Sequence, residues 1–376
     1  MLKQIKEGVI ISTKDKLDFS KSYWNEALGE DHTSEDYWNN IQGTTQLHTD
    51  YDEEIKRLEQ SQKQYMERRQ ERLRLEKIRK KRRNITICVW IFVVLIVFFS
   101  VKLVMSQFMP EDQPTNVTEK TDTPTSDIKT DPPIEEEKPK ADESLYSQFD
   151  FYISENLDRY IAYANANSDM APDDIVWQVN MSLDKPKFST DIPASGYDDP
   201  YIIVNKFYKV PRDFRPPDLE SFDNQLLRKE TGEAFIRMRN AASNEGLSIM
   251  AVSGYRSVEY QDNLYNSYLQ SDSQQNVDRY SARPGYSEHH TGMAIDLFGS
   301  THGLRNFINT PEYPWVKENA HKYGFIIRYT ETGEFITGYE FEPWHIRYIG
   351  VEAATDMREK QIDTFEEYYA RYIQNK

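Results

Sequence analysis

Two short stretches in the second half of the chain hold residue types that could do chemistry together. Residues 287–296 read SEHHTGMAID, and residues 342–345 read EPWH. Between them they supply His289, Asp296 and His345, two imidazoles and a carboxylate, as candidate metal ligands. Hydrolytic zinc sites commonly use three protein ligands and leave the fourth position to water. Zinc lowers that water's pKa to about 7 and polarises the carbonyl to be cleaved. A carboxylate must then take the water's proton and pass it to the leaving amine. Glu342 lies three residues before His345, and the two side chains converge if the E-x-x-H run forms a turn at the site. Glu340 competes for the role of base, although its spacing fits less well. A third stretch, SGYRS at 253–257, follows a predicted strand. The planar fork of Arg256 can hydrogen-bond a developing oxyanion or a carboxylate. Each element is weak alone: H-x6-D and E-x-x-H recur by chance, and SGYRS fits any strand-to-helix turn.

At these residues the chain resembles the zinc D-alanyl-D-alanine carboxypeptidases of the VanY type, within the wider lysostaphin, D-Ala-D-Ala peptidase and hedgehog group. The family pattern is S-G-Y-R-S, then S-x-H-x-x-G-x-A-x-D, then E-x-W-H, and all three are present in order. The flanks VNKFYKVP, DLESF, WVKENAHKYGFIIRY and TGYEFEPWHIRYIG extend the resemblance over residues 201–350. The resemblance implies one zinc ion on His289, Asp296 and His345, with Glu342 as general base and Arg256 as anion stabiliser. It implies that Ser287 and Gln261 contact the terminal residue of the peptide. His290 stands where the family more often has an amide, and it reads as a loop-facing or core histidine, not a ligand. His302 and His321 read as structural, and Trp344 and Tyr348 as site walls or core. The implied substrate is a peptidoglycan stem peptide, trimmed of its C-terminal D-alanine outside a Gram-positive cell. Two alternatives stay open: an L,D-carboxypeptidase on tetrapeptide stems, and a wall-binding module that keeps the fold without turnover. The complete set of ligands and base disfavours the second.

The elements that must position these residues alternate irregularly. Helices are predicted over 149–167, 172–182, 230–245, 258–270 and 314–323, the last stopped by Gly324. Strands are predicted over 247–253, 293–297 and 325–329, and a strand-like run begins at Ile202 and Ile203. Such mixing favours an α+β fold, a small antiparallel sheet with flanking helices as in the hedgehog and D-Ala-D-Ala peptidase group, over a doubly wound sheet.

Ahead of this globular part, residues 85–105 read ITICVWIFVVLIVFFSVKLVM, charged only at Lys102. A bilayer core needs roughly 20 apolar residues in a helix, so one transmembrane helix is expected. RRQERLRLEKIRKKRR precedes the run and MSQFMPEDQP follows it. Excess Lys and Arg stay cytoplasmic, which places the N-terminus inside and the globular domain outside. The expected organisation is a polar cytoplasmic tail with a basic juxtamembrane helix over 1–84, the membrane helix over 85–105, a disordered spacer over 106–144 and a catalytic domain over 145–376. In the tail, SKSYWNEALG at 20–29 and SEDYWNNIQG at 34–43 share S-x-x-Y-W-N-x-x-x-G. Chance explains this repeat as well as a duplicated motif for a cytoplasmic protein partner does. The net charge of -16 argues against a nucleic-acid partner. The single cysteine, Cys88, rules out an intramolecular disulfide.

Overall fold

The computed structural model describes residues 44–106 and 143–375, apart from 190, 191, 195, 197, 198 and 302. The side chains of 44–55, 88, 93–106 and 192 also lie outside the described residues. The Tyr-Trp-Asn repeats, His302 and all but the ends of the expected spacer therefore fall outside them. The chain divides into two compact units, Met1–Glu67 with Asp142–Lys376, and Arg68–Ala141.

One helix, α1, runs Thr44–Ser106 and includes the apolar run. No glycine or proline interrupts it. Among the described residues no helix is long and apolar enough to cross a membrane.

Within the first unit, α2 (Leu157–Ala166) and α3 (Pro172–Asn180) pack on each other. Tyr160, Ile175, Val176 and Val179 form their shared core. α2 starts later than the sequence predicts, because a 3-10 turn, Ser154–Asn156, precedes it. β1 (Ile192–Pro193) and β2 (Tyr208–Lys209) make a short parallel pair. β3 (Leu219–Phe222) and β4 (Gln225–Arg228) make a hairpin leading into α4 (Lys229–Asn244). Next come β5 (Met250–Ser253), α5 (Val258–Leu269) and α6 (Gln274–Tyr280). Ser257 and Ser273 cap the two helices by accepting from the N–H of Tyr260 and Asn276. β6 (Ala294–Phe298), α7 (Glu312–Asn319), β7 (Phe325–Tyr329), β8 (Glu342–Tyr348), α8 (Val351–Glu359) and α9 (Phe365–Tyr372) complete the unit.

β5, β6, β8 and β7 form, in that order, one antiparallel sheet, so the α+β expectation holds. Side chains alternate across a strand. Ile295, Leu297, Ile346 and Tyr348 enter a core cluster with Ala234, Phe235, Met238 and Ala242 of α4 and Trp315 and Val316 of α7. Burying a side chain such as Phe235 contributes about 1.5–3 kcal/mol. The opposite face of β6 and β8 carries Asp296, His345 and Arg347.

Two local expectations are corrected. Ile202 and Ile203 form no strand, although both are buried. The carbonyls of Pro200 and Ile202 instead accept from Nη2 of Arg347, so a side chain satisfies this backbone without a ladder. The E-x-x-H run is not a turn but the start of β8. Its convergence comes from a bulge. Ile327 pairs with Ile346 and Tyr329 with Glu342, so two steps along β7 oppose four along β8. The extra residues bring Glu342 round to the side of His345.

Candidate metal centre

Asp296 and His345 are direct cross-strand partners on β6 and β8, which places their side chains together. His345 Nδ1 lies 3.2 Å from Asp296 Oδ1. The third member, His289, sits in a 3-10 turn, Glu288–Thr291, just before β6. Its Nε2 lies 3.3 Å from Asp296 Oδ2. One donor atom from each of the three falls within 4.8 Å of the others, and all three residues are buried.

The turn holding His289 is locked to the SGYRS loop. His289 Nδ1 donates to Gly254 O at 2.7 Å, which leaves its Nε2 lone pair facing Asp296. Gly285 N–H donates to His290 Nε2 at 3.1 Å, so His290 Nδ1 donates to Arg256 O at 2.8 Å. Arg256 N–H donates to His289 O at 3.2 Å. His290 is thus a clamp between two loops, in keeping with its reading as a non-ligand. Gly254 is needed where the loops meet, because a Cβ there would lie 2.6 Å from Leu226 O. Gly292 ends the turn at φ 69°, a left-handed conformation that glycine adopts freely.

Arg256 reaches the same centre. Its Nη2 donates to Asp296 Oδ2 at 2.5 Å, and its Nε to Ser253 Oγ at 2.9 Å. Gln261 is buried and donates from Nε2 to Ala282 O, while its Oε1 lies 3.5 Å from Arg256 Nη1. Ser287 accepts from His289 N–H at 3.3 Å, capping the turn. Both residues are thereby engaged in holding Arg256 and His289. Glu342 is buried with its Oε2 3.6 Å from His345 Nδ1. Glu340 accepts from Arg305 Nη2 at 2.6 Å, away from the cluster. Trp344 and Tyr348 belong to the core.

Electrostatics separate these groups by role. Burial pushes Glu342 up to about 8, and the Asp296 and Glu340 charges add to this. Burial opposes the Asp296 charge too, but His289 and Arg256 hold its carboxyl well below the usual carboxylate range. Burial, assisted by Arg256, depresses His289 to about 4, so its imidazole is neutral at neutral pH. His345 goes the other way: burial lowers it, yet the Asp296, Glu288 and Glu342 carboxylates beside its ring raise it to about 9. Asp296 Oδ1 is buried with no hydrogen-bond partner. Two imidazole nitrogens and an ionised carboxylate, buried and closely spaced, form a donor set that suits a divalent cation of the zinc type.

The same segment matches a known family. Residues 224–351 fit the family model described as VanY, D-alanyl-D-alanine carboxypeptidase. These residues form a VanY-family domain. The VanY-family segment also aligns with individual proteins. A putative carboxypeptidase, YodJ of Bacillus subtilis (strain 168), is 38% identical over 182 residues, covering 45% of this chain and 66% of that protein. A D-alanyl-D-alanine carboxypeptidase of Enterococcus faecium is 39% identical over 146 residues, covering 39% of this chain and 44% of that protein. Among solved structures, a mutant VanY D,D-pentapeptidase from a VanB-type resistance cassette, in complex with Zn(II), is 30% identical. It aligns with a TM-score of 0.40 over 45% of this chain and 97% of its own. The matches thus span between about half and two thirds of the two curated relatives.

One residue of the centre had no sequence signal as a functional group. Glu288 lies beside His289 in sequence, but its Oε2 faces His345, at 3.5 Å from Nε2. Its other partners, Arg328 and Arg347, are 40 and 59 positions away, so no local spacing reveals the cluster.

Proposed function

We propose that the VanY-family domain is a zinc D-alanyl-D-alanine carboxypeptidase that removes the C-terminal D-alanine of peptidoglycan stem peptides. The observation that carries this reading is the buried convergence of His289, Asp296 and His345, with Glu342 and Arg256 at its edge. His289 Nε2, an Asp296 oxygen and His345 Nδ1 are the atoms that would hold the metal. Zinc supplies a Lewis acid there and makes a bound water acidic near neutrality. Glu342 accepts the proton of the attacking water and delivers it to the amine nitrogen of the departing D-alanine. Arg256, pinned through Nη2 and Nε, stabilises negative charge on the carbonyl oxygen under attack. Ser287 and Gln261 keep His289 and Arg256 in place for these steps.

The purified full-length chain with zinc should convert a pentapeptide stem ending in D-Ala-D-Ala to the tetrapeptide, read as loss of one alanine by mass spectrometry. A chelator should stop the reaction and added zinc restore it. Cleavage of tetrapeptide stems alone would put L,D-carboxypeptidase activity in its place. Binding without cleavage of either stem would make the domain a wall-binding module.

We further propose that residues 85–105 anchor the chain in the cell membrane with the N-terminus inside and the VanY-family domain outside. The length of the apolar run and the basic residues before it support this orientation. A contact within the first unit opposes it. Tyr65 Oη donates to Glu367 Oε2 at 3.0 Å, and Phe335 N–H donates to Ser61 Oγ at 3.2 Å. The proposal requires this contact to be absent in the anchored chain, because a crossing at 85–105 puts Tyr65 and Glu367 on opposite sides of the membrane. Protease added outside intact protoplasts should release the catalytic domain and spare an N-terminal tag. Digestion of the tag from outside would overturn the orientation.

A further inference from the structure

Beneath the metal centre lies a fully buried chain of alternating charges. Glu288 Oε1 accepts from Arg328 Nε at 2.7 Å and from Arg347 Nη1 at 2.9 Å. Arg328 continues through Nη1 and Nη2 to both oxygens of Glu366, at 2.9 and 2.6 Å. Arg347 spends its Nη2 on the carbonyls of Pro200 and Ile202 and its Nε on Tyr348 O. Two arginines and two carboxylates balance in charge, and all four side chains are at most 1% exposed.

The two oxygens of Glu288 are used differently. Both guanidinium groups converge on Oε1, while Oε2 has no hydrogen-bond partner. The buried atom it faces, His345 Nε2, has none either, and the gap is 3.5 Å. Buried polar atoms are rarely left unpaired, and here two complementary ones face each other a few tenths of an ångström beyond a closed hydrogen bond. Nδ1 of the same ring points to Asp296 and Glu342. An imidazole that binds metal through one nitrogen commonly donates its other N–H to a carboxylate, which fixes tautomer and ring orientation.

We propose that Glu288 is a positioning residue for His345, accepting Nε2–H through Oε2 so that Nδ1 keeps its lone pair directed into the metal centre. The proposal rests on the zinc reading of that centre. The arginines set its direction. With Oε1 held by Arg328 and Arg347, the carboxylate can turn only Oε2 to the ring. An ordinary carboxylate free to rotate would impose no such choice.

This arrangement makes Glu288→Gln an informative change. The arginines, being donors only, claim the amide oxygen. The amide N–H2 is then left facing His345 Nε2 and favours the ring form with its proton on Nδ1. In the full-length chain, zinc affinity measured by competition with a chelator should fall by about 10–100-fold. Glu366→Gln weakens the same arginine chain at its far end and does not touch His345. It should lower thermal stability but leave zinc affinity within about twofold of the unaltered chain, whereas a purely structural role for Glu288 would make the two variants alike. A second readout needs no variant. The chain has seven histidines, so selective 15N labelling can resolve His345, which in the zinc-loaded protein should be bound through Nδ1 and protonated on Nε2. Zinc affinity unchanged in a folded Glu288→Gln chain, or His345 bound through Nε2, would overturn the proposal while leaving the zinc reading intact. Failure of the unaltered chain to bind zinc would overturn both.

Discussion

Replacing Glu342 with Gln should cut turnover by about 10²–10⁴-fold, the usual contribution of a positioned general base, while zinc stays bound and the metal-free protein melts at a higher temperature. The rise in melting temperature comes from burial. Burial raises the folded-state pKa of Glu342 to about 8, against 4.5 for a free glutamate. Between those values the folded chain holds a proton that the unfolded chain has released. Stability therefore falls as pH rises from 4.5 towards about 8 and levels off above. A neutral Gln removes that dependence. Allowing for the pairing with His345, the gain near neutrality is on the order of 1 kcal/mol, or about 2–4 °C in Tm for a domain of this size. In the zinc-loaded enzyme the neighbouring cation favours the carboxylate form. The kcat/KM of the unaltered enzyme should then rise with pH through a value below about 8, set by Glu342 as the base. Calorimetry of the metal-free pair, zinc analysis and steady-state kinetics check the three parts. Near-normal turnover in the variant would transfer the base role to Glu340 or elsewhere.

For Arg256→Ala the expected result is a kcat loss of about 10²-fold or more with a smaller change in KM. A carboxypeptidase must distinguish a chain end from an internal bond, and the constant difference is the terminal charge. Arg256 could serve either that carboxylate or the oxyanion. The geometry favours the oxyanion, since Nη2 is fixed on Asp296 Oδ2, a candidate ligand atom, 2.5 Å away. A guanidinium so close to the metal donors would reach a carbonyl oxygen bound at that metal. Loss of a contact made equally to substrate and transition state would raise KM and spare kcat. Kinetics at saturating zinc, on a stem peptide and on the same peptide amidated at its C-terminus, separate the roles. A change confined to KM would assign Arg256 to the terminal carboxylate. Equal cleavage of the amidated peptide by the unaltered enzyme would point to endopeptidase activity.

What the sequence determined by itself was the set of candidate site residues and the local structure. His289, Asp296, His345, Glu342 and Arg256 were legible because their types and short spacings are properties of the chain alone. So were α4, α5 and β7, whose apolar patterning, joined in α5 by the Ser257 cap, acts over a few residues. Only the tertiary structure decided how those residues meet. Glu342 and His345 converge through a bulge between β7 and β8, a register that depends on a partner strand and that E-x-x-H cannot encode. Ile202 and Ile203 carry a strand's composition but lie in coil, where Arg347, 145 positions from Ile202, donates to the carbonyls of Pro200 and Ile202. Gln261 and Ser287 were matched to the substrate by motif, and folding adds that Gln261 Oε1 accepts from Arg256 Nη1 and Ser287 Oγ from His289 N–H. Glu288 was invisible because a buried carboxylate is defined by the cations around it, and those arrive from β7 and β8. Spacing along a chain reports what lies within a few residues, whereas burial, register and charge pairing depend on segments that only folding brings together.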